Sequence, residues 1–537
     1  MKNLANRLCL LLAALIAAQA GAAAESKSEA CESLRGVTLG HATVRTSVWF
    51  AGGDYRTGFA SRGIPNVPAF CRAILTSAPV PASNITIEVW LPSEEVWNGK
   101  LLGSGNGGFG GAISVDALAA AVKRNYAGAN TDMGTFPAAQ LPNTGYDAGI
   151  GHPEMVKDWG YRSTHEMTIA AKALIKRYYS KQLSHSYLMG CSTGGHQALS
   201  EAQRYPSDYD GIIAGAAGHN RTHLHASFLQ RFQQGQTLAP LFSPEKAELV
   251  SNTLLERCAG KNGGAPGDRF LSNPAACDFK PSQLRCANGN SAPCLSAPEV
   301  KVLETMYYGT RNPRTHELIY PGWAKGSEAS LLKGLQKQAE PTKTGSADGV
   351  FRWVFGPQWD ARTFDFDRDM EKEDAALGPT INALSADLSK FADHGGKLIL
   401  FHGWADPVVS PYDSILYFDR LKDHSFVRLF MAPGMSHCRG GPGPDSFGQN
   451  AVPEGGADAA GDIVAALDMW VEKGIAPQTL IARKLDAHGT LESARPLCAY
   501  PDVAVYNGAG DAKSEKNYHC IPQSAGNTEF PAAKYLK

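Results

Sequence analysis

A cysteine stands directly before a serine in "YLMGCSTGGHQAL", Tyr187 to Leu199, and that stretch constrains the chain more than any other. Its first residues are apolar enough for a buried strand, its last carry helical spacing, and Gly190-Cys191-Ser192-Thr193-Gly194 fits G-x-S-x-G between them. Glycines on both sides of the serine permit a tight strand-to-helix turn that exposes the hydroxyl. An ordinary glycine-rich turn would fit the five residues alone. The flanking strand and helix favour a nucleophile elbow, and with it an α/β-hydrolase fold.

The rest of the chain carries the same rhythm. "NITIEVWLP" alternates as a half-buried strand does, and "KLLGS", "NYAGANTD", "HSYLMG" and "DGIIAGAAG" are short apolar runs that end in turn chemistry. "STHEMTIAAKALIKRYY" and "HQALSEAQRY" repeat apolar positions at helical spacing. Strands alternating with helices predict a parallel sheet covered on both faces. From about His219 to Ala386 the rhythm fails among four cysteines, scattered Gly and Pro, and "FRWVFGPQWDARTFDF"; it returns with "GGKLILFHGWADP" and "FVRLFMAPGMSHC". A chain of 537 residues exceeds the ~250–300 at which a single core stops growing. The expected organisation is therefore a signal segment over 1–24, a first core part over 25–218, an inserted lid over 219–386 and a second core part over 387–537. After Gly440 the sequence shows no clear periodicity.

A serine hydroxyl needs an imidazole to take its proton and a carboxylate to orient that imidazole, in the chain order Ser, acid, His for this fold. Asp406 stands just past the strand "KLILF" and His437 just past "FVRLF", both in loops at strand C-terminal ends. Ser192, Asp406 and His437 are the candidate trio. His402, at the end of its strand, is the rival base and reads more as a structural residue; Asp413 is a weaker rival acid. Oxyanion donors are expected from the Thr193 N–H and from "GSGNGGFGG", with Gly107 or Gly108 as the position. No G-K-[S/T] follows that glycine run, which disfavours a phosphate cradle.

"MKNLANRLCLLLAALIAAQAGAAAES" has Lys2 and Arg7, an apolar run and small residues at Ala22 to Ala24, the layout of a secretory signal peptide. The run is shorter than the ~20 residues needed to span a bilayer. Export to a secreted or periplasmic location is expected, with no membrane anchor after cleavage, and a net charge of -1 gives no nucleic-acid footprint. Beyond Cys9 stand ten cysteines, an even number that reads as a disulfide framework. None forms the C-x-x-C pair of a zinc site. Cys191 precedes the candidate nucleophile and Cys438 follows the candidate base, so a bond between them would tie the elbow to the histidine loop. Cys498 and Cys520 read as a second staple.

These residues resemble the tannase and feruloyl esterase family, which includes mono(2-hydroxyethyl) terephthalate hydrolase. The resemblance is carried by "PAFCR", "GNGGFGG", "NTDMGT", "DWGYRSTHE", "GCSTGG", "EAQRYPSDYDGIIAGA", "FHGWADP" and "MSHC". It implies Ser192, Asp406 and His437 as the triad, the Cys191–Cys438 hallmark pair, and the further pairs Cys31–Cys71, Cys258–Cys277, Cys286–Cys294 and Cys498–Cys520. It also implies a calcium in the lid, yet in "CAGKNGGAPGDRFLSNPAAC" the acidic places are taken by Ala259, Asn262 and Pro266. Calcium gains most from carboxylates; a shifted site using Asn262 and Asp268 is what stays open, and no cofactor is required for the reaction. His196 stands where relatives usually carry Arg.

The reaction so implied is hydrolysis of a small aromatic ester, of feruloyl, galloyl or terephthaloyl type, through an acyl-enzyme. Lid aromatics, with Trp353, Phe355 and Trp359 foremost, are candidate walls for the ring, against the plainer expectation of a lid core. A scaffold that binds without catalysis, or one that hydrolyses amides, are the competing classes.

Overall fold

The computed structural model describes residues 26–56, 63–135, 148–238, 243–287, 294–337, 349–453, 458–523 and 528–537; the segment expected to direct export lies outside them. Ten strands form one sheet: β1 (Thr38–Leu39), β2 (Ala42–Phe50), β3 (Phe70–Ser77), β4 (Ile85–Pro92), β5 (Lys100–Ser104), β6 (Ala127–Thr131), β7 (His185–Cys191), β8 (Gly211–Gly215), β9 (Lys397–Gly403) and β10 (Val427–Ala432). Their spatial order is β1-β2-β3-β4-β6-β5-β7-β8-β9-β10. From β6 to β10 every neighbour is parallel.

From β1 to β4, and between β4 and β6, the pairing is antiparallel, which corrects the expectation of a wholly parallel sheet. For β1 to β4 the reason is connection length: parallel neighbours need a crossover of a dozen or more residues, usually a helix, and among the described residues β1 to β4 follow one another without one.

Helices cover both faces. α1 (Val115–Lys123), α2 (Ser163–Tyr179), α3 (Thr193–Arg204), α8 (Pro411–Arg420) and α9 (Ile463–Lys473) frame the sheet. Alternation along each central strand feeds two cores. Leu188, Ile212, Leu398 and Leu400 pack with Leu174 and Ile175 of α2, Leu199 of α3 and Ile415 of α8. Tyr187, Ile213, Ile399 and Phe401 point the other way, onto Ile463, Leu467 and Trp470 of α9. The C-terminal part is thus ordered despite its weak periodicity, and two antiparallel hairpins, Thr479–Leu485 with Leu491–Cys498 and Val503–Tyr506 with Tyr518–Ile521, follow α9.

Between β8 and β9 lie α4 (Arg221–Leu238), α5 (Pro244–Cys258), α6 (Ala297–Tyr308) and α7 (Asp369–Ile381). This insertion has apolar clusters of its own, one around Cys258, Cys277, Leu303 and Trp323 and another around Phe232, Phe351, Phe364 and Met370. Disulfides join Cys31 to Cys71, Cys191 to Cys438, Cys258 to Cys277, Cys286 to Cys294 and Cys498 to Cys520. Among the described residues no helix is long and apolar enough to cross a membrane.

Candidate active site

Ser192 sits between β7 and α3 with φ 63° and ψ -119°, a left-handed φ that a non-glycine residue adopts only when its surroundings enforce it. The enforcement is visible. Its N–H donates to Gly215 O at 2.9 Å, and its carbonyl accepts from the N–H groups of His196 at 3.0 Å and Gly218 at 3.1 Å. A methyl group on Gly190 would stand 2.4 Å from the carbonyl carbon of Gly194, so the turn closes only with hydrogen at that position. Cys438, across the disulfide, also holds a left-handed φ, of 64°. Its Cα is 6.0 Å from that of Cys191. The cross-link therefore brackets Ser192 and His437, which are the chain neighbours of its two ends.

Asp406 is fully buried and accepts four hydrogen bonds. The N–H groups of Val408 and Val409 reach Oδ1 at 2.7 and 3.1 Å, and His437 Nδ1 and His402 Nε2 reach Oδ2 at 2.7 and 3.1 Å. Burial by itself would raise this carboxyl; the two imidazoles outweigh it, by charge and by hydrogen bonding, and hold it well below the usual carboxylate range. Because the carboxylate accepts, His437 carries its proton on Nδ1, and Nε2 is left as the basic nitrogen.

His402 faces two acceptors through Nε2, Asp406 Oδ2 and Val409 O, and so carries its proton there; Nδ1 accepts from the Ser414 hydroxyl at 2.7 Å. Both nitrogens are committed in a ring with no exposure, which makes His402 a support for Asp406 and not a base. Asp413, the other acid considered, is buried on α8 beside His219 at 3.7 Å and away from His437's hydrogen bond. His402 as a second arm on the acid is the feature sequence reasoning described only loosely; its place four residues before Asp406 was the available signal.

The glycine loop is fixed against the elbow. A methyl on Gly105 would stand 2.4 Å from Gly194 Cα, so loop and helix start touch backbone to backbone. Gln197 Oε1 accepts the Asn106 N–H at 2.7 Å, and the N–H groups of Gly110 and Gly111 go to Gly107 O and Asp132 O. Thr193, the first residue of α3, donates its hydroxyl to Gly108 O and accepts from Arg221 at 3.1 Å. The structure thus places Thr193, Gly107 and Gly108 together beside the serine. Phe109 of the same loop accepts the Trp159 indole N–H at 3.1 Å through its carbonyl.

Of the three lid aromatics, the structure brings Trp353 to this loop, edge-on to Phe109 at 5.9 Å and to Trp159 at 5.4 Å. Phe355 and Trp359 follow the plainer expectation of a core within the insertion. They stack on each other at 5.2 Å and, partly buried, pack against Phe351 and Phe364 of the insertion's own apolar cluster. His196 is fully buried against the Trp159 ring at 5.5 Å, and burial holds its imidazole well below the usual range. Trp159 and Arg221, whose guanidinium lies 5.0 Å from the indole, were not singled out beforehand.

The lid loop does not fit calcium. Its carboxylate Asp268 receives Arg495 at 2.7 Å on Oδ1 and the Ala265 N–H at 2.8 Å on Oδ2, while Asn262 donates its amide to Ala276 O at 3.3 Å. A guanidinium already supplies the positive charge that the loop can hold.

A family model described as tannase and feruloyl esterase matches residues 71–521. The chain is 34% identical to an uncharacterized esterase of Xanthomonas campestris pv. campestris, over 97% of this chain and 96% of that protein. It is 31% identical to a probable feruloyl esterase B-1 of Aspergillus flavus, over 84% of this chain and 86% of the other. The crystal structure of feruloyl esterase B from Aspergillus oryzae superposes with a TM-score of 0.83 at 28% identity, covering 92% of this chain and all of that one.

Proposed function

The chain belongs to the tannase and feruloyl esterase family and is a carboxylic-ester hydrolase; from that premise we propose that it is an exported serine esterase that cleaves esters of small aromatic acids through an acyl-enzyme. The observation that carries the reading is the four-donor cradle of Asp406, with His437 Nδ1 at 2.7 Å and Ser192 bracketed to His437 by the Cys191–Cys438 bond. In this reading His437 Nε2 takes the Ser192 proton as the oxygen attacks the ester carbonyl. The N–H of Thr193 and that of Gly107 or Gly108 stabilise the oxyanion; the imidazolium then protonates the leaving alcohol, and water repeats the sequence to free the acid. Asp406 stays ionised throughout and stabilises the imidazolium. No calcium takes part.

Feruloyl, galloyl or terephthaloyl groups are the proposed acyl class, with Phe109, Trp159 and Trp353 as the aromatic wall nearest the oxyanion loop. The disulfides suit a secreted or periplasmic location. Hydrolysis of methyl ferulate, methyl gallate, a terephthalate monoester and a short aliphatic ester by wild type and Ser192→Ala tests the reading. Aromatic turnover that vanishes in the variant supports it. A folded wild type that turns over only the aliphatic ester, or turnover that survives in Ser192→Ala, sinks it.

A further inference from the structure

Away from the catalytic loops three ligating side chains converge. His165 stands in the first turn of α2, Glu201 in the last turn of α3 and Asp208 in the turn that leads to β8, and one nitrogen or oxygen of each lies within 4.8 Å of the others. Among the described residues no other trio of His, Cys, Asp and Glu groups comes this close. His165 Nδ1 is 2.6 Å from Asp208 Oδ2, and Tyr205 stacks on the imidazole at 3.9 Å, fixing its plane.

Glu201 makes the cluster unusual. It is 1% exposed, and no N–H or hydroxyl donor reaches either carboxylate oxygen, the Asp208 carboxyl lying beside it. Of the other buried glutamates, Glu88 and Glu166 have donors, Arg72 and Trp90 at 2.7 Å for the first and Ser77 at 2.7 Å for the second, while Glu373 lacks them but has no ligating trio around it. The charges around Glu201 do not stand in for them. Lys172, the nearest ammonium, donates to the Asp208 carbonyl; Asp210 accepts from Ser186; and the Tyr209 hydroxyl is engaged with Thr168. A buried carboxylate facing a second carboxylate and an imidazole, without donors of its own, has the surroundings of a ligand.

We propose that His165, Glu201 and Asp208 form a binding site for a divalent cation of the zinc class, which joins α2, α3 and the turn before β8. One imidazole and two carboxylates are a ligand set that zinc takes at ~2.0–2.2 Å with a water in fourth place. His165 and Asp208 side chains are 25% and 13% exposed, so that place and the entry path face solvent. Calcium wants six to eight oxygens and is poorly matched to an imidazole.

The test is titration calorimetry of zinc chloride into the full-length, chelator-stripped protein, without reductant, in two buffers of different ionisation enthalpy. Wild type should bind one equivalent with Kd below ~10 µM. Glu201→Gln and His165→Phe should each weaken binding at least ~30-fold while keeping wild-type circular dichroism and ester hydrolysis. Saturating zinc should raise the Tm of wild type alone. No saturable heat from wild type, binding that both variants retain, or a wild-type Tm indifferent to zinc overturns the site. Should one variant fail to fold, Asp208→Asn takes its place under the same criteria.

Discussion

Asp406 and Glu201 are equally buried carboxylates beside an imidazole, and they end in opposite states. Asp406 collects two backbone N–H groups and two imidazole donors and is held ionised far into acid. Glu201 collects none and is pushed towards its neutral form. Depth of burial therefore does not decide the charge of an interior carboxylate; the count and sign of the groups aimed at it do. The catalytic side of the sheet is over-supplied with donors, and the α2–α3 junction is under-supplied.

The largest effect should come from breaking the rich side. Asp406→Asn turns an acceptor that four donors share into an amide and removes the charge that stabilises the His437 imidazolium, so kcat on methyl ferulate should fall about 10³–10⁴-fold with the fold intact by circular dichroism. Next comes the second arm. His402→Phe leaves Asp406 ionised but less well aimed, and one hydrogen bond to a charged group corresponds to about a 10-fold loss in kcat with KM unchanged; His402→Gln, which keeps a donor, should recover most of it.

The poor side is read through pH. Because folding raises the Glu201 pKa, the unfolded chain gives up this proton first as pH rises. Its contribution to stability is complete below the unfolded value of ~4.3 and declines as pH climbs above it. Asp406 has the reverse sign: its contribution is present above ~3.9 and is lost as pH falls. In metal-free solution Glu201→Gln should therefore flatten the decline in Tm between pH 5 and pH 8 and match or exceed wild type at pH 8. A decline as steep as that of wild type would show that other groups cause it. Smallest of all is the response to calcium. With Asp268 held by Arg495, millimolar calcium should move the Tm by less than ~1 °C.

The parts of this molecule that were legible in sequence are those in which one residue's chemistry and its chain neighbours coincide. The central strands from Lys100 to Ala432, α2 over Ser163–Tyr179 and the elbow all announce themselves by local period and turn chemistry. β2 and β3 did not, because "ATVRTSVWF" and "FCRAILTS" mix polar residues into strands that are only partly covered. The C-terminal α9 hid for a different reason, its signal being diluted among glycines and alanines. At the site, the trio and its order could be read from loops at strand ends. The Phe109–Trp159–Trp353 contact could not, since it joins residues far apart in sequence, and the Asp406–His402–Ser414 chain, though local, depends on side-chain orientations that spacing alone does not fix. The Glu201 cluster was equally hidden: its three residues lie in two of the quoted motifs, but nothing in the spelling says that they face one another.

The Cys191–Cys438 bond, which spans 247 residues, has a consequence for how the protein ages outside a cell. Every peptide bond of the insertion between β8 and β9 lies inside the loop that it closes. A protease that nicks any exposed turn there makes two polypeptides that remain covalently joined beside His437. Such a molecule runs as one band on a non-reducing gel and as two after reduction, and damage to the insertion leaves Ser192 and His437 on the same particle.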